Sequence, residues 1–378
     1  MYCKKISVSN FRNIEKAEVE FSEGVNILVG ENAQGKTNLL EAVFYSSVGR
    51  SFRAVSTAEM IRFGESSAEI ELDWRDSKRD QTILFRIFKD RRRIVEKNHV
   101  KVDRLSDIVG SFRAVLFCPE HLSLIKDGPS ERRGYLDVAI SRLYPMYIHA
   151  LQEYNYSLKQ RNALIKSAID DRKSFDDTVE LWSEKMASSA AVISDMRAKY
   201  IKRATVYVSD CFAEMTGERE RPELIYCGSA GLDIDDYSNR ARVKDRYMEL
   251  LMSSHTREIY AGATLWGTHK DDIDIRLNGK SARIYASQGQ QRSLALALKL
   301  AEGEICREEF GDYPVFLFDD VLSELDSSRR DYLINKMREK QVILTSCEVD
   351  FLSQISEYIS DARMITVRGG EYLEYSEA

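Results

Sequence analysis

The chain has 378 residues, of which 43% are hydrophobic and 31% are charged. A chain of this length and composition forms one large or two ordinary globular domains, which excludes an intrinsically disordered protein. Its formal net charge of -6 argues mildly against nucleic acid as a partner, although a partner meets one face of a protein rather than its total charge.

Three features of the sequence predict where the protein works. No uncharged apolar stretch reaches the length of a membrane span, and no apolar run with a small-residue cleavage site follows the first lysines. The six cysteines are scattered without close pairing, which predicts reduced, buried thiols rather than disulfides or a zinc site. We therefore expect a cytoplasmic protein with no membrane partner.

The N-terminal residues predict strands followed by a helix. Residues 4–11 (KKISVSNF) and 16–21 (KAEVEF) alternate apolar and polar side chains, as a half-buried antiparallel pair does. Residues 25–29 (VNILV) form a nearly continuous apolar run, which predicts a strand buried on both faces. A glycine-rich loop follows, and then residues 37–49 have helical spacing. Residues 66–104 return to alternation, which predicts an antiparallel meander.

The middle of the chain predicts a helical insertion. Residues 145–216 are rich in Ala, Leu, Lys, Glu and Gln, and Pro145 is their only proline. They predict two long helices that are interrupted near residues 170–177 (DDRKSFDD). The last third predicts a helix from residue 287, a strand at 315–318 (VFLF), a helix and a strand in QVILTS.

This order of elements predicts two lobes. Lobe I comprises residues 1–125 and 262–378 and contains a mixed α/β sheet. Lobe II comprises residues 126–261 and is helical, with a short antiparallel arm whose two long helices each span only a few heptads.

Residues 30–37 (GENAQGKT) fit the phosphate-loop pattern G-x-x-x-x-G-K-[ST]. Glycines let backbone N–H groups surround phosphate oxygens, and the following helix directs its positive end at the anion. Lys36 offers a charge to the β- and γ-phosphates, and the Thr37 hydroxyl can coordinate Mg²⁺. The alternative is that the motif matches by chance. This alternative is disfavoured because a strand is predicted directly before the loop and a helix directly after it. The residues predicted to bind nucleotide are Gly30, Glu31, Asn32, Ala33, Gln34, Gly35, Lys36 and Thr37.

The apolar run 315–318 ends in two carboxylates, Asp319 and Asp320. A buried parallel strand delivers the residues at its carboxyl end to the ligand crevice of an α/β sheet. Asp319 is therefore the predicted partner of Mg²⁺, and Asp320 is the candidate to polarise the attacking water. The alternative is that the two aspartates lie in a solvated turn without a function. The phosphate loop earlier in the chain favours the functional interpretation.

A later segment, residues 287–297 (SQGQQRSLALA), separates this chain from other phosphate-loop enzymes. Ser287 is a good N-cap residue, and the helix behind it predicts a second anion-binding helix start. The segment resembles the signature motif of ATP-binding cassette (ABC) proteins, in which this helix end contacts the γ-phosphate held by the other subunit. That resemblance implies nucleotide contacts by Ser287, Gly289 and Gln290. An ordinary capped helix is the alternative, but residues 323–326 (SELD) match the D-loop of the same interface.

Further motifs extend the resemblance over almost the whole chain, to the RecF family. They are Asn10–Asn13, Gly49–Arg53, Phe117–Lys126, Arg132–Asp137 and Gly267–Asp272. The resemblance implies an α/β fold, an ABC ATPase head of the P-loop NTPase class with a helical second lobe. Lys36 and Asp320 would be catalytic, Thr37 and Asp319 would hold the metal, and Arg12 would join the residues that bind the cofactor.

The resemblance also implies what the protein does. Members of the family bind ATP with Mg²⁺, form an ATP-dependent homodimer and clamp DNA at single-strand gaps and stalled forks. They work with RecR and RecO to load the RecA recombinase, and they support replication restart and SOS induction. The activity implied is a weak, DNA-dependent ATPase that releases the clamp.

Three positions depart from related patterns. Thr268 and Lys270 stand where the family more often has proline and arginine, and Ser346 stands where transporter cassettes carry a histidine. The glutamine loop of transporters has no clear counterpart near Pro119 and Glu120. These departures predict slow hydrolysis.

Two basic clusters predict contacts with DNA phosphates, which fix position without reading sequence. The first comprises Lys89, Arg91, Arg92 and Arg93, with Lys97, Lys101 and Arg104 close behind. The second comprises Arg50, Arg53 and Arg62. A solvated charged face is the alternative for any single residue. Arg132 and Arg133 could instead belong to an interlobe or dimer surface.

Rival functions are less consistent with the sequence. A Rad50-like or SMC-like tether needs arms of hundreds of residues, and this insertion is far too short. A metabolic phosphate-loop kinase would lack the signature segment and act as a monomer. A transporter cassette would need the membrane-coupling glutamine loop.

Overall fold

The computed structural model describes residues 1–217, 220–347 and 362–374, apart from the side chain of Glu324. The strands are β1 Tyr2–Phe11, β2 Ile14–Glu20, β3 Val25–Val29, β4 Ser67–Arg75, β5 Asp80–Phe88, β6 Ile94–Lys97, β7 Val100–Lys101, β8 Ala114–Phe117, β9 Pro222–Cys227, β10 Asp272–Leu277, β11 Lys280–Ser281, β12 Val315–Phe318, β13 Val342–Ser346, β14 Arg363–Arg368 and β15 Glu371–Glu374. The α-helices are α1 Lys36–Val48, α2 Ser123–Lys126, α3 Pro129–Leu143, α4 Pro145–Ser167, α5 Arg172–Thr216, α6 Arg240–Ser253, α7 His255–Ala261, α8 Ala282–Tyr285, α9 Gln288–Phe310 and α10 Ser327–Met337.

The chain divides into two compact units. The first contains Met1–Leu122 and the segments that begin at Cys211 and at Gln288. The second contains Ser123–Asp210 and Glu220–Ser287. Residues 262–287, which the sequence predicts in lobe I, thus group with the second unit.

An antiparallel sheet forms one layer of the first unit, in the order β2-β1-β4-β5-β6-β7. The predicted N-terminal hairpin and the predicted meander are confirmed, because β1 pairs with β2 and β4, and β5 pairs with β4 and β6, all antiparallel. Side chains along β4 alternate between buried and partly exposed, as expected for a sheet with one solvated face.

Among the described residues, the second sheet of this unit has the order β15-β14-β3-β13-β12-β8, in which β15 pairs antiparallel with β14 and the other neighbours pair parallel. Strands β3, β13, β12 and β8 are buried along their whole length. The strands predicted at 25–29, at 315–318 and in QVILTS are confirmed, whereas β8 was not predicted. Because these strands are parallel, their carboxyl ends lie at one edge of the sheet. The phosphate loop follows β3, and Asp319 follows β12, at that edge.

Helix α9 packs closely on the parallel sheet. A Cβ atom at Gly303 would lie 2.2 Å from the Phe316 ring of β12, so only glycine allows this approach. The helix is buried over most of its length and also packs against β8. The sheet therefore fixes the position of the helix that begins with the signature segment.

Two long helices, α4 and α5, are the main elements of the second unit. The predicted break between them is confirmed, since α4 ends at Ser167 and α5 begins at Arg172. Arg161 of α4 is fully buried, and its Nη2 lies 2.7 Å from Oε2 of Glu258. Further hydrogen bonds from Arg161 to the Ser183 and Thr264 hydroxyls satisfy the guanidinium, as a buried charge requires.

The second unit is not entirely helical, which corrects the sequence prediction of a purely helical arm. Strands β11, β10 and β9 form a three-stranded antiparallel sheet in it. Since β10 pairs with β9 over six residues, from Asp272 opposite Cys227 to Leu277 opposite Pro222, the segment before the signature belongs with this unit. Among the described residues, no helix is long and apolar enough to cross a membrane.

Candidate nucleotide-binding site

The phosphate loop has a backbone that its residue types explain. A Cβ atom at Gly30 would lie 2.3 Å from the carbonyl oxygen of Val367, so the first position requires glycine. Gly35 has φ +118°, which favours glycine, and Ala33 also lies in the left-handed region at φ +65°. The loop is held from the side by Gly370 N–H, which donates to the Gln34 carbonyl over 2.9 Å.

Lys36 bends back across the loop that precedes it. Its Nζ donates to the carbonyl oxygens of Gly30 at 2.5 Å and Glu31 at 2.8 Å, and it lies 3.3 Å from Sγ of Cys347. The side chain is buried. The ammonium is therefore held by loop carbonyl oxygens at the wall of a cavity that Lys36 lines.

Thr37 and Asp319 are brought together as the sequence predicts. The Thr37 hydroxyl donates to Oδ1 of Asp319 over 2.8 Å, and the Thr345 hydroxyl donates to the same oxygen over 2.9 Å. Burial raises the pKa of Asp319 above its ordinary value, while these two hydrogen bonds act to lower it. A hydroxyl and a carboxylate are hard oxygen donors, so this pair fits Mg²⁺ bound together with substrate phosphates.

Asp320 differs from its neighbour in exposure and conformation. Its side chain is exposed, and its backbone has φ +51°, which is uncommon for a residue other than glycine. The Asp320 N–H donates to the Thr345 hydroxyl over 2.9 Å, and the Ser323 hydroxyl donates to Oδ1 of Asp320 over 3.0 Å. These contacts hold the carboxylate at the open side of the site.

A cavity of about 470 Å³ joins these groups. Sequence reasoning missed several residues that line it, namely Asn13, Asn38, Glu120, Thr345 and Cys347. Glu120 and Cys347 follow the carboxyl ends of β8 and β13, so the strand-end rule that found Asp319 could have found them. No sequence pattern predicts Asn13 and Asn38 at the cavity. They are brought together only by folding, in which the Asn38 amide donates to Oδ1 of Asn13 over 2.7 Å.

Two arginines of the predicted site contact residues around the phosphate-loop helix, and their predicted contacts with DNA and nucleotide stay predictions. Arg53, predicted to contact DNA, lines the nucleotide cavity and donates to Oδ1 of Asn38 over 3.2 Å. Arg12, predicted to contact the cofactor, forms two hydrogen bonds with the buried carboxylate of Glu41, at 2.9 and 2.6 Å. Its remaining guanidinium nitrogen donates to the Glu59 carbonyl over 2.9 Å.

The signature segment begins as predicted, with Ser287 exposed directly before α9. A Cβ atom at Gly289 would lie 3.1 Å from Nη1 of Arg329, so this glycine keeps the first turn of α9 close to α10. In the D-loop, Asp326 caps α10 by accepting a hydrogen bond from Arg329 N–H over 3.0 Å. Contacts from Ser287, Gly289 and Gln290 to a nucleotide stay a prediction.

The first basic cluster is only partly available to a partner. Arg93 donates to the Tyr45 hydroxyl over 2.8 Å and to the Gly49 carbonyl. Its guanidinium is therefore engaged in hydrogen bonds within the first unit. Arg91 lies over the Phe88 ring, with 3.8 Å between the guanidinium carbon and the ring centroid. Lys89, Arg91 and Arg92 are exposed.

In the second cluster, Arg50 is exposed and Arg62 forms an ion pair with Glu15 at 2.8 Å. Since Arg53 lies in the nucleotide cavity, the three arginines do not act as one exposed group. DNA contacts by Arg50 and Arg53 stay a prediction.

The GTHKDD segment, residues 267–272, is a structural centre of the second unit. Oδ2 of Asp271 accepts hydrogen bonds from Arg197 at 3.0 Å and from the Tyr226 hydroxyl at 2.6 Å. Burial lowers the pKa of His269 to about 4, and Nδ1 of His269 lies 2.6 Å from the Tyr154 hydroxyl. Lys270 is exposed, so the departure at this position leaves the buried network intact.

Arg132 and Arg133 also belong to this network. Arg132 is buried and forms two hydrogen bonds with the Asp272 carboxylate, at 2.7 and 2.9 Å. Arg133 donates to the Asp271 carbonyl over 2.8 Å. The suggestion that these arginines form an interlobe or dimer surface is therefore wrong for Arg132, because its guanidinium is committed within one unit.

The cysteine prediction is confirmed in one respect and corrected in another. All six cysteines are free thiols. Cys227 is exposed and Cys347 is partly exposed, however, so not all of them are buried.

Comparison with known proteins gives one consistent family. A family profile described as the RecF/RecN/SMC N terminal domain matches residues 2–367. A DNA replication and repair protein RecF of Clostridium tetani is 34% identical over 376 residues, which cover 99% of this chain and 100% of that protein. The RecF of Thermoanaerobacter sp. is 39% identical over 345 residues, 91% of this chain and 94% of the relative.

Solved structures agree. The recombination mediator protein RecF of the RecFOR pathway, solved as RecF-ATPrS, has a TM-score of 0.91 at 35% identity and covers 99% of this chain and 98% of its own. An Smc head domain from Pyrococcus furiosus, bound to the C-terminal domain of ScpA, is 18% identical with a TM-score of 0.58. The match covers 100% of this chain and 96% of the Smc chain. At this identity it shows the fold alone. The predicted fold class, an α/β ABC ATPase head with a second lobe, is confirmed.

Proposed function

Because the chain belongs to the RecF family of ABC-type ATPases, we propose that it is an ATP-dependent DNA-binding protein of recombinational repair. The observation that carries this proposal is the cavity in which the phosphate loop faces Asp319 and Asp320. ATP occupies this cavity, and Gly30, Lys36 and Thr37 hold its phosphates. A related RecF has been solved with ATP, which supports the choice of nucleotide.

The residues around the cavity give each part of the site a role. Thr37 and Asp319 hold Mg²⁺, which supplies charge neutralisation at the β- and γ-phosphates when bound. The described residues contain no cluster of three or more His, Cys, Asp or Glu suited to a metal, which fits an ion held mainly by one carboxylate, a hydroxyl and phosphates. Asp320 accepts a proton from the attacking water.

Hydrolysis in this site is slow. Strand β13 ends at Ser346, where transporter cassettes carry a histidine, and the next residue, Cys347, lines the cavity. Cys347 contacts Asn32 Oδ1 at 2.9 Å and lies beside Lys36, and a thiol is a weak hydrogen-bond donor. The γ-phosphate is therefore sensed weakly from this side, and ATP serves as a switch rather than as a fuel for rapid turnover.

ATP joins two copies of the chain. The γ-phosphate held by Lys36 of one copy is contacted by Ser287, Gly289 and Gln290 of the other. The exposure of Ser287 at the start of α9, and the position of Asp326 at the start of α10, support this arrangement. Loss of the γ-phosphate removes the bridge and loosens the dimer.

The dimer clamps DNA, single-stranded or at junctions with duplex, at gaps and stalled forks. Lys89, Arg91 and Arg92 contact the phosphates. The protein works with RecR and RecO to load RecA, and it supports replication restart and the SOS response. A cytoplasmic location follows from this role.

The test is DNA binding by the wild type and by Lys36→Arg, each with ATP, with ADP and without nucleotide, alongside size-exclusion chromatography. We expect ATP alone to produce a dimer that binds DNA. The broader guanidinium cannot reproduce the contacts of the ammonium with two loop carbonyls, so the difference between ATP and ADP should shrink in the variant. A wild type that stays monomeric on DNA with saturating ATP would contradict the proposal.

A further inference from the structure

Phe63 stands on a rigid turn with its ring completely outside the fold. Its side chain is 102% exposed, and the next residue, Gly64, has φ +92°. The turn is closed by the Glu65 N–H, which donates to the Arg62 carbonyl over 3.0 Å. A positive φ at the third position of such a turn is available mainly to glycine.

Both ends of this turn are tied to the antiparallel sheet. The Arg62 N–H donates to the Asn10 carbonyl over 2.8 Å at the end of β1. The Lys89 N–H donates to the Ser66 carbonyl over 3.2 Å, just after β5. The ring is therefore presented at a fixed place, and little loop entropy is lost when a partner binds it.

The neighbours of the turn carry positive charge. Lys89, Arg91 and Arg92 are exposed on the loop after β5, which is hydrogen-bonded to the turn at Ser66. Arg91 is preordered by its contact with Phe88, whose strand partner is Ser67. Asp90 and Glu65 are the carboxylates closest in sequence, and Glu15 pairs with Arg62 of the turn. With Arg62 included, four cations stand against these three carboxylates.

A single exposed apolar residue is common on protein surfaces. What distinguishes Phe63 is the combination of full exposure, a rigid support and adjacent cations. An aromatic face beside a basic track is the arrangement that binds single-stranded nucleic acid, because bases stack on the ring while phosphates meet the cations.

We propose that Phe63 is a stacking platform for an unpaired base of DNA. This inference rests on the proposed DNA-binding function and adds a specificity element to it. The cations bind the phosphate backbone of any DNA. The Phe63 ring, in contrast, can stack only with a base that is not stacked within a duplex. The protein therefore favours DNA that contains unpaired nucleotides.

The test compares a fluorescent oligo(dT) with a blunt duplex of equal length, both in ATP. Phe63→Ala and Phe63→Leu are expected to weaken oligo(dT) binding by roughly 5- to 100-fold, because stacking on an aromatic residue is lost. Phe63→Tyr keeps the ring and should stay near wild type. Duplex affinity, and the slope of affinity against salt, should be unchanged in all three variants, since no phosphate contact is removed. Val55→Ala, at a residue that is 97% exposed, is the matched control.

The outcomes are distinct. Full oligo(dT) affinity in Phe63→Leu would show that the contact is apolar rather than stacking, and equal losses on oligo(dT) and duplex would remove the preference for unpaired bases. Either result overturns the inference and leaves the proposed function in place. A wild type that binds neither DNA in ATP removes the proposed function itself. A 5-iodouracil oligonucleotide that photocrosslinks to Phe63 would support the stacking directly.

Discussion

The hydroxyl of Thr37 donates a hydrogen bond to Oδ1 of Asp319 over 2.8 Å, although 282 positions separate the two residues in the chain. One belongs to the helix after the phosphate loop, and the other follows a buried strand of the parallel sheet. Both oxygens are therefore placed for one cation before any ligand arrives.

Asp319→Asn tests this pairing. An amide oxygen can still accept from Thr37 and Thr345, but the buried charge is gone. Because burial raises the pKa of Asp319, the folded state holds the proton more tightly than the unfolded state does, and ionisation at neutral pH costs stability. We expect the Tm of the nucleotide-free variant at pH 7 to rise by roughly 2 to 4 °C, and its rise on adding MgATP to disappear.

Differential scanning calorimetry with and without MgATP measures both effects. The Tm advantage of Asp319→Asn should shrink as the pH falls through the raised pKa, since the wild type then loses its buried charge. The exposed Asp320→Asn is the matched control for the nucleotide-free Tm. Equal stabilisation of Asp319→Asn and wild type by MgATP would contradict the assignment of the metal site.

Mixed dimers test the composite site. Ser287→Arg should block the helix end that meets the partner's nucleotide, and Lys36→Ala should weaken ATP binding by roughly tenfold or more, because a charged hydrogen-bond donor is lost. Alone, neither variant should dimerise in ATP. A mixture of the two rebuilds one intact site, so sedimentation velocity should detect a dimer only in the mixture. No recovery in the mixture would argue against a shared site.

Substitutions of the three arginines in the basic loop should have different effects on DNA binding and on stability. Arg91→Gln with Arg92→Gln removes two exposed charges, so the slope of log affinity for duplex DNA against log salt should fall by about 2. Arg93→Ala should instead destabilise the fold by about 1 to 3 kcal/mol, because its hydrogen bonds to Tyr45 and Gly49 are lost. Urea unfolding measures the second effect. If all three arginines act together, as the sequence alone predicts, Arg93→Ala will change the salt slope instead.

Arg53→Gln should separate nucleotide binding from DNA binding. Since Arg53 lines the nucleotide cavity, we expect the affinity for ATP to fall by roughly threefold to tenfold and the DNA salt slope to stay constant. Isothermal titration with ATP and DNA binding at several salt concentrations check the two parts. A reduced salt slope with normal ATP affinity would restore Arg53 to the DNA surface.

His269 should make the second unit sensitive to acid. Burial lowers its pKa in the folded protein to about 4 from the ordinary 6.5, so between these values the unfolded chain binds a proton that the folded chain does not. The free energy of unfolding should therefore fall as the pH drops from about 7 to 4, with a contribution on the order of 3 kcal/mol from this group.

Urea unfolding of the wild type and His269→Gln at pH 7 and pH 5 measures this contribution. The stability of the variant should depend less steeply on pH than that of the wild type. His149→Gln, at an exposed position of α4, should keep the wild-type dependence. Parallel curves for the wild type and His269→Gln would exclude His269 as the cause.

Several parts of the site could be predicted because local backbone patterns encode them. The phosphate loop, the carboxylates after 315–318 and the helix behind Ser287 are each set by short-range chemistry, namely glycine freedom, apolar runs and helix capping. The same short-range patterns predict the two long helices, and they place the break near residues 170–177, a few positions after the observed break at 168–171.

Which distant side chains meet could not be predicted from local patterns and is seen in the folded chain. The order β3-β13-β12-β8 brings Cys347 and Glu120 to the nucleotide cavity, and the turns of the first unit bring Arg53 there as well. The same folding commits Arg93 and Arg132 to internal hydrogen bonds, although both look like surface charges in the sequence. The physical reason is that a pattern fixes the path of the local backbone, whereas strand order, register and close packing are fixed by contacts between segments far apart in the chain.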